Sequence, residues 1–123
     1  MNFTIQGELP DLNTYINAER SNRYAGASLK KKATDKVVLA IKDKNTVDRH
    51  KFDYVSLEIS YFCKDKRKDK DNIAFAKKFI FDGLQKAGII ENDGWKNVFN
   101  WTEYWHIDKE NPRIEVFIWD VVR

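Results

Sequence analysis

The chain has 123 residues, 42% of them hydrophobic and 33% charged, with a formal net charge of +3. That length suits one domain, residues 1–123, with a hydrophobic core, and the composition excludes a disordered chain. A single cysteine, Cys63, excludes a disulfide framework and a thiolate-rich zinc site, and the two histidines, His50 and His106, lie in no catalytic or zinc motif. No apolar run nears the roughly 20 residues that cross a bilayer, and MNFTIQGELP lacks the basic and apolar regions of a secretion signal. The expectation is a cytoplasmic protein without a membrane segment.

Residues 2 to 6, NFTIQ, alternate with Phe3 and Ile5 on one side, which predicts a short strand. Residues 11 to 27 show no sustained period and read as a long irregular loop, with a helical turn near 12 to 16 as its one regular candidate. Arg20 and Arg23 on it are candidate polyanion contacts. From Ser28, a candidate N-cap, Leu29, Ala33, Val37, Ala40 and Ile41 recur at helical spacing, predicting a helix over 28–45 with an outward lysine face that includes Lys30 and Lys31. NTVDRHKFD then reads as a polar connection.

Residues 54 to 63, YVSLEISYFC, alternate strictly and predict a strand covered on one side, with Cys63 a buried structural thiol rather than a nucleophile. A basic run follows, and Ile73, Ala76, Ile80, Phe81 and Leu84 form the stripe of a second helix stopped by Gly88. Residues 98 to 107 alternate again, with Phe99, Trp101, Trp105 and Ile107 on one face; the three aromatics are expected to pack on the core, a dimer interface being the alternative. Residues 113 to 122 predict a last strand, and the short DKENP link to it predicts an antiparallel hairpin. The order β-loop-α-β-α-β-β predicts a mixed α/β, α+β-like domain, with two helices on a sheet of about four strands.

The chemistry concentrates at 64 to 96, KDKRKDKDNIAFAKKFIFDGLQKAGIIENDGWK. Residues 64–70 carry five basic side chains against two acids, so Lys64, Lys66, Arg67 and Lys68 are candidate phosphate contacts. Asp69 and Asp71 point the same way if the backbone is still extended there, and could then chelate one hard cation. Asp93 lies 22 positions beyond Asp71. A helix of about 15 residues carries the chain roughly 22 Å away, and about six extended residues can bring it back. Lys78, seven residues after Asp71, shares its helical face and could neutralise a phosphate, whereas Lys77 is expected in solvent. Asp82 is placed to pair with Lys78. Ile73 and Ala74 stand where an EF-hand needs a ligand and a glycine, which excludes that motif.

The segments KDKDN, KKFIFDGL and KAGIIENDGW together resemble the RusA family of Holliday-junction resolvases of bacteria and their phages. The motif region covers about 30 residues, and the order of strands and helices around it is similar. The resemblance implies a homodimeric, Mg²⁺-dependent endonuclease, with Mn²⁺ able to substitute, that introduces paired nicks across a four-way DNA junction during recombination and repair. It implies that Asp69, Asp71 and Asp93 bind metal, that Lys78 is the catalytic lysine, and that Asp82-Gly83-Leu84 serves helix packing. Two features depart from the family. Phe75 stands one turn after the second aspartate, where some members have lysine, and Asn92-Asp93 replaces a pair of acids. The alternative reading is a non-catalytic binder of structured DNA.

Overall fold

Residues 1–44 and 51–123, which the computed structural model describes, form in chain order β1 (Asn2–Gln6), α1 (Leu12–Ser21), α2 (Arg23–Lys44), β2 (Val55–Cys63), α3 (Lys70–Ala74), α4 (Lys77–Lys86), β3 (Val98–Ile107) and β4 (Arg113–Asp120). His50 and most of the polar connection containing it lie outside the described residues. The strands make one four-stranded mixed sheet in the order β1-β4-β2-β3, so the chain has the small α/β fold expected. Among the described residues, no helix is long and apolar enough to cross a membrane.

β2 is paired on both edges, antiparallel to β4 and parallel to β3. Its alternation sorts the sheet into two faces. Val55, Leu57, Ile59 and Tyr61 are buried with Ile114, Val116 and Ile118 of β4 and Phe3 and Ile5 of β1, under Val37 and Ile41 of α2 and Phe79, Ile80 and Leu84 of α4. The opposite face carries Thr4, Glu58, Ser60, Glu115 and Phe117 and is left open by the helices. α2 and α4 approach closely at Gly83, where an added Cβ would lie 2.7 Å from the Val37 Cβ, in keeping with a packing role for Asp82-Gly83-Leu84.

The expected β3–β4 hairpin does not form, because β2 lies between the two strands. The five residues 108–112 step over the end of β2, tied there by the Asp108 amide donating to the Cys63 carbonyl at 2.8 Å. Five residues can span roughly 16 Å, ample for two strand spacings of about 4.8 Å. Placed at the sheet edge, β3 is not packed as expected either. Phe99, Trp101 and Ile107 remain exposed, and Trp105 alone of that set is half-buried, stacked on Tyr61 with ring centroids 5.6 Å apart.

The segment read as a long loop is helical. Asp11 caps α1 by accepting from the Thr14 amide at 2.8 Å, and Asn22 accepts from the Tyr24 and Ala25 amides, both at 2.9 Å, to open α2. Ser28 therefore sits inside a helix that starts five residues earlier than expected and ends at Lys44. α1 buries no residue fully, and its apolar stripe is short, Leu12, Tyr15 and Ile16, with Tyr15 packed against the core.

The single helix expected after the basic run is divided at Phe75 and Ala76. Both stay right-handed helical, but amides there bond three residues back: Ala76 to Ile73, Lys78 to Phe75 and Phe79 to Ala76, each at 3.0 Å. In this tightened turn the Phe75 ring packs against Tyr15 of α1 and edge-on against Phe79.

Candidate functional site

The return of Asp93 depends on how α4 ends. Gly88 adopts φ +76°, the Ile89 amide donates to the Leu84 carbonyl at 2.9 Å and the Gly88 amide to Gln85 at 3.0 Å, a Schellman stop. Ile89 and Ile90 are then buried, and the Ile89 carbonyl accepts from the Phe52 amide at 2.8 Å, fixing the reversed chain. Asp93 thereby comes to line one open cleft, of about 460 Å³, together with Asp71, Lys77, Lys78 and Trp101.

Asp69 lines a different cleft, with Lys66, Lys70 and Trp105. The shared direction expected for Asp69 and Asp71 required extended backbone through both. Here β2 ends at Cys63, and the helix begins at Lys70, so Asp69 is the extended N-cap residue (φ −70°, ψ 152°) and Asp71 is already helical. One change of backbone state between them separates the side chains. Among the described residues, no group of three or more His, Cys, Asp or Glu side chains is close enough to hold a metal ion.

Carboxylate oxygen is nevertheless the donor type that a hard divalent cation takes. Asp69, Asp71 and Asp93 are exposed, and among the described residues none has a cationic side chain within 4.0 Å, whereas Asp82 and Glu103 nearby are both paired with lysines. Mg²⁺ typically takes one or two protein carboxylates and completes its shell with water and substrate phosphate oxygens. Asp71 and Asp93 are two such carboxylates lining one open cleft.

Both lysines reach this cleft. In an ideal α-helix Lys78 would lie about 20° from the Asp71 direction and Lys77 about 120° from it. Tightening about three steps to 3₁₀ spacing moves them to roughly 40° on one side and 60° on the other. Lys77 is thus not the solvated residue expected. Its ammonium lies 3.2 Å from Glu103 Oε1 and 3.4 Å from the Ala74 carbonyl, above the Trp101 ring at 5.8 Å. Glu103 Oε2 in turn accepts from the Tyr61 hydroxyl at 2.8 Å. Burial, with the charge of Glu103 beside it, pushes the Tyr61 hydroxyl far above its ordinary pKa, so it stays a donor. Lys78 pairs with Asp82 at 3.7 Å, as the i,i+4 spacing anticipates, and Asp82 also faces Lys30 at 3.8 Å. Glu103 carried no local sequence signal beyond interrupting an aromatic alternation.

The other candidate cations divide by their partners. Lys68 is bound into the fold, 2.7 Å from Asp11 and 3.6 Å from Glu8. The hydrogen bond to Asp11 raises the Lys68 ammonium above its ordinary value. Burial alone would raise the Asp11 carboxyl, but the bonds from Lys68 and Thr14 outweigh it and hold the group below the usual carboxylate range. Lys31 pairs with Asp35 at 3.3 Å, Arg67 with Asp65 at 3.7 Å, and Arg23 lies against the Tyr24 ring at 4.8 Å. Among the described residues, Lys64, Lys66 and Arg20 have no carboxylate within 4.0 Å and are exposed. Cys63 is half-buried and burial raises its thiol pKa, which disfavours the nucleophilic thiolate.

Compared with known proteins, the chain matches no protein-family model and no curated protein sequence.

Proposed function

We propose that this chain is a cytoplasmic, divalent-metal-dependent endodeoxyribonuclease, homodimeric when active, that cuts four-way DNA junctions. The observation that carries the hydrolytic part is the meeting of Asp71, Asp93, Lys77 and Lys78 on one open cleft, although Asp93 stands 22 positions beyond Asp71. The choice of a branched substrate rests on the resemblance of KDKDN, KKFIFDGL and KAGIIENDGW to the RusA family.

In the reaction proposed, a water oxygen joins phosphorus as the P–O3′ bond breaks, and a proton ends on the leaving oxygen, giving a 5′-phosphate and a 3′-hydroxyl. Asp71 and Asp93 would hold Mg²⁺ or Mn²⁺, joined by Asp69 if it turns from its separate cleft on loading. The cation supplies positive charge to the phosphate oxygens and makes a nearby water easier to deprotonate. Lysine ammonium groups on the same cleft wall compensate charge that grows on the non-bridging oxygens. Lys64, Lys66, Arg67 and Arg20 are exposed cations suited to neighbouring phosphates. Paired nicks need two such clefts, which a two-fold dimer supplies. The unpaired outer edge of β3, with Phe99, Tyr104 and Ile107 exposed, is the surface best suited to a second copy.

The position of Asp69 on a separate cleft favours, as a second reading, a structured-DNA binder that does not cut. Incubating a labelled four-way junction with the protein, with and without Mg²⁺, decides between them. Metal-dependent symmetric nicks, lost in Asp71→Asn, are expected; tight binding without nicks under Mg²⁺ or Mn²⁺ selects the second reading.

A further inference from the structure

Lys77 and Lys78 are neighbours on one cleft, yet their ammonium groups are held very differently. Lys77 begins α4, with 29% of its side chain exposed, and is fixed by Glu103 Oε1 at 3.2 Å and the Ala74 carbonyl at 3.4 Å. An ammonium has three N–H donors, so these two acceptors leave one donor uncommitted. The Trp101 ring, another wall of the cleft, lies 5.8 Å from the nitrogen. Glu103 is itself anchored: Tyr61 donates to its other oxygen at 2.8 Å, and Tyr61 is 1% exposed and stacked on Trp105. The support therefore runs from the central strand, through an edge-strand carboxylate, to a cleft-wall lysine. Lys78 has 51% of its side chain exposed and shares Asp82 with Lys30 at 3.7 and 3.8 Å, distances of loose ion pairs rather than hydrogen bonds.

We propose that Glu103, held by Tyr61, is a positioning residue that fixes the Lys77 ammonium, and that Lys77 rather than Lys78 meets the scissile phosphate. This rests on the nuclease reading above and deepens it. A charge already oriented in the ground state stabilises developing phosphate charge without reorganising during the reaction, which a mobile surface lysine cannot do. Glu103 also balances the Lys77 charge before substrate arrives. Removing the acid should therefore favour DNA binding while harming catalysis, a combination that loss of structure does not produce.

The test uses the full chain and a labelled four-way junction, with single-turnover cleavage in Mg²⁺ and binding measured separately in EDTA. Lys77→Ala is expected to slow cleavage about 100-fold with affinity within about threefold, and Lys78→Ala to slow it about tenfold, the smaller loss of a less firmly held charge on the same cleft wall. Glu103→Gln should slow cleavage about tenfold while binding in EDTA is unchanged or tighter. In a Lys77→Ala background it should change the rate by less than about twofold, since the acid acts only through that lysine. Thermal unfolding checks Glu103→Gln, and Tyr61→Phe, which removes only a hydroxyl, should slow cleavage about threefold by the same route. Fast cutting by Lys77→Ala, or rate losses of Lys77→Ala and Glu103→Gln that multiply, overturns the assignment and leaves the nuclease reading intact. A wild-type protein that leaves the junction whole under Mg²⁺ and Mn²⁺ overturns that reading and this inference with it.

Discussion

The Lys68 ammonium lies 2.7 Å from the Asp11 carboxylate, whose other oxygen accepts from the Thr14 amide at 2.8 Å to cap α1. Two residues beyond Asp11 and four beyond Lys68, the Asn13 amide donates to Asn72 Oδ1 at 3.0 Å. The starts of α1 and α3 are thus linked twice, immediately beside Asp69 and Asp71. Asp11 is 5% exposed, so Lys68→Met strands a buried carboxylate, and we expect a loss of about 1–2 kcal/mol by urea unfolding at pH 7. The Asp11 carboxyl is depressed in the folded protein. Its stabilisation is therefore present above the usual carboxylate range and disappears as pH falls through the lower folded-state value. The difference between wild type and Lys68→Met should accordingly shrink when unfolding is repeated below about pH 3.

Two glycines separate conformational from steric cost. At Gly88, φ is +76° and an added Cβ meets nothing within 4 Å, so Gly88→Ala should cost only the left-handed penalty, about 1 kcal/mol. At Gly83 the added carbon would press on Val37 between α2 and α4, and Gly83→Ala should cost about 1–3 kcal/mol through overpacking. Chemical unfolding of both variants measures the contrast; equal losses would contradict it.

The division of the acids between two clefts predicts unequal effects. Asp71→Asn and Asp93→Asn should each lower junction cleavage by about 100-fold or more and abolish saturable Mn²⁺ binding by calorimetry. Asp69→Asn should cost less, about tenfold, because Asp69 lines a different cleft from the other two acids. Equal loss of Mn²⁺ binding in all three variants would show that the acids converge on loading.

Cations with and without acidic neighbours should differ in the salt dependence of DNA affinity. Replacing Lys64 or Lys66 by Met should lower the slope of log affinity against log salt by about one each, the signature of a phosphate contact. Lys68, held between Asp11 and Glu8, should leave that slope nearly unchanged. Filter binding across a salt series measures this, and a full unit lost on removing Lys68 would contradict its structural role.

Much of the frame was legible from local pattern. Alternation in 55–63 marked a strand because a one-sided environment repeats every two residues, and the stripe ending at Gly88 marked α4 and its stop because a left-handed residue must follow a Schellman helix end. Chain length alone bounded the distance over which Asp93 could return. The full length of α1 was hidden: its apolar positions marked only a turn near 12 to 16, and its limits are set by caps at Asp11 and Asn22. The insertion of β2 between β3 and β4 was equally hidden, because residues 108–112 are long enough both for a hairpin and for a step across one strand.

For the site, sequence supplied the candidate side chains: a cluster of lysines, three aspartates and a reversing turn. Tertiary structure decided how they are grouped. One change of backbone state between Asp69 and Asp71 sends neighbouring acids to different clefts, and a tightened turn at Phe75 and Ala76 brings Lys77 to the wall it shares with Lys78. Glu103 is 26 residues from Lys77, and it reaches that lysine because β3 runs parallel beside β2 at the sheet edge. Local spacing encodes direction only within one element; contacts between elements follow from packing, and packing is where the lysines acquire different surroundings.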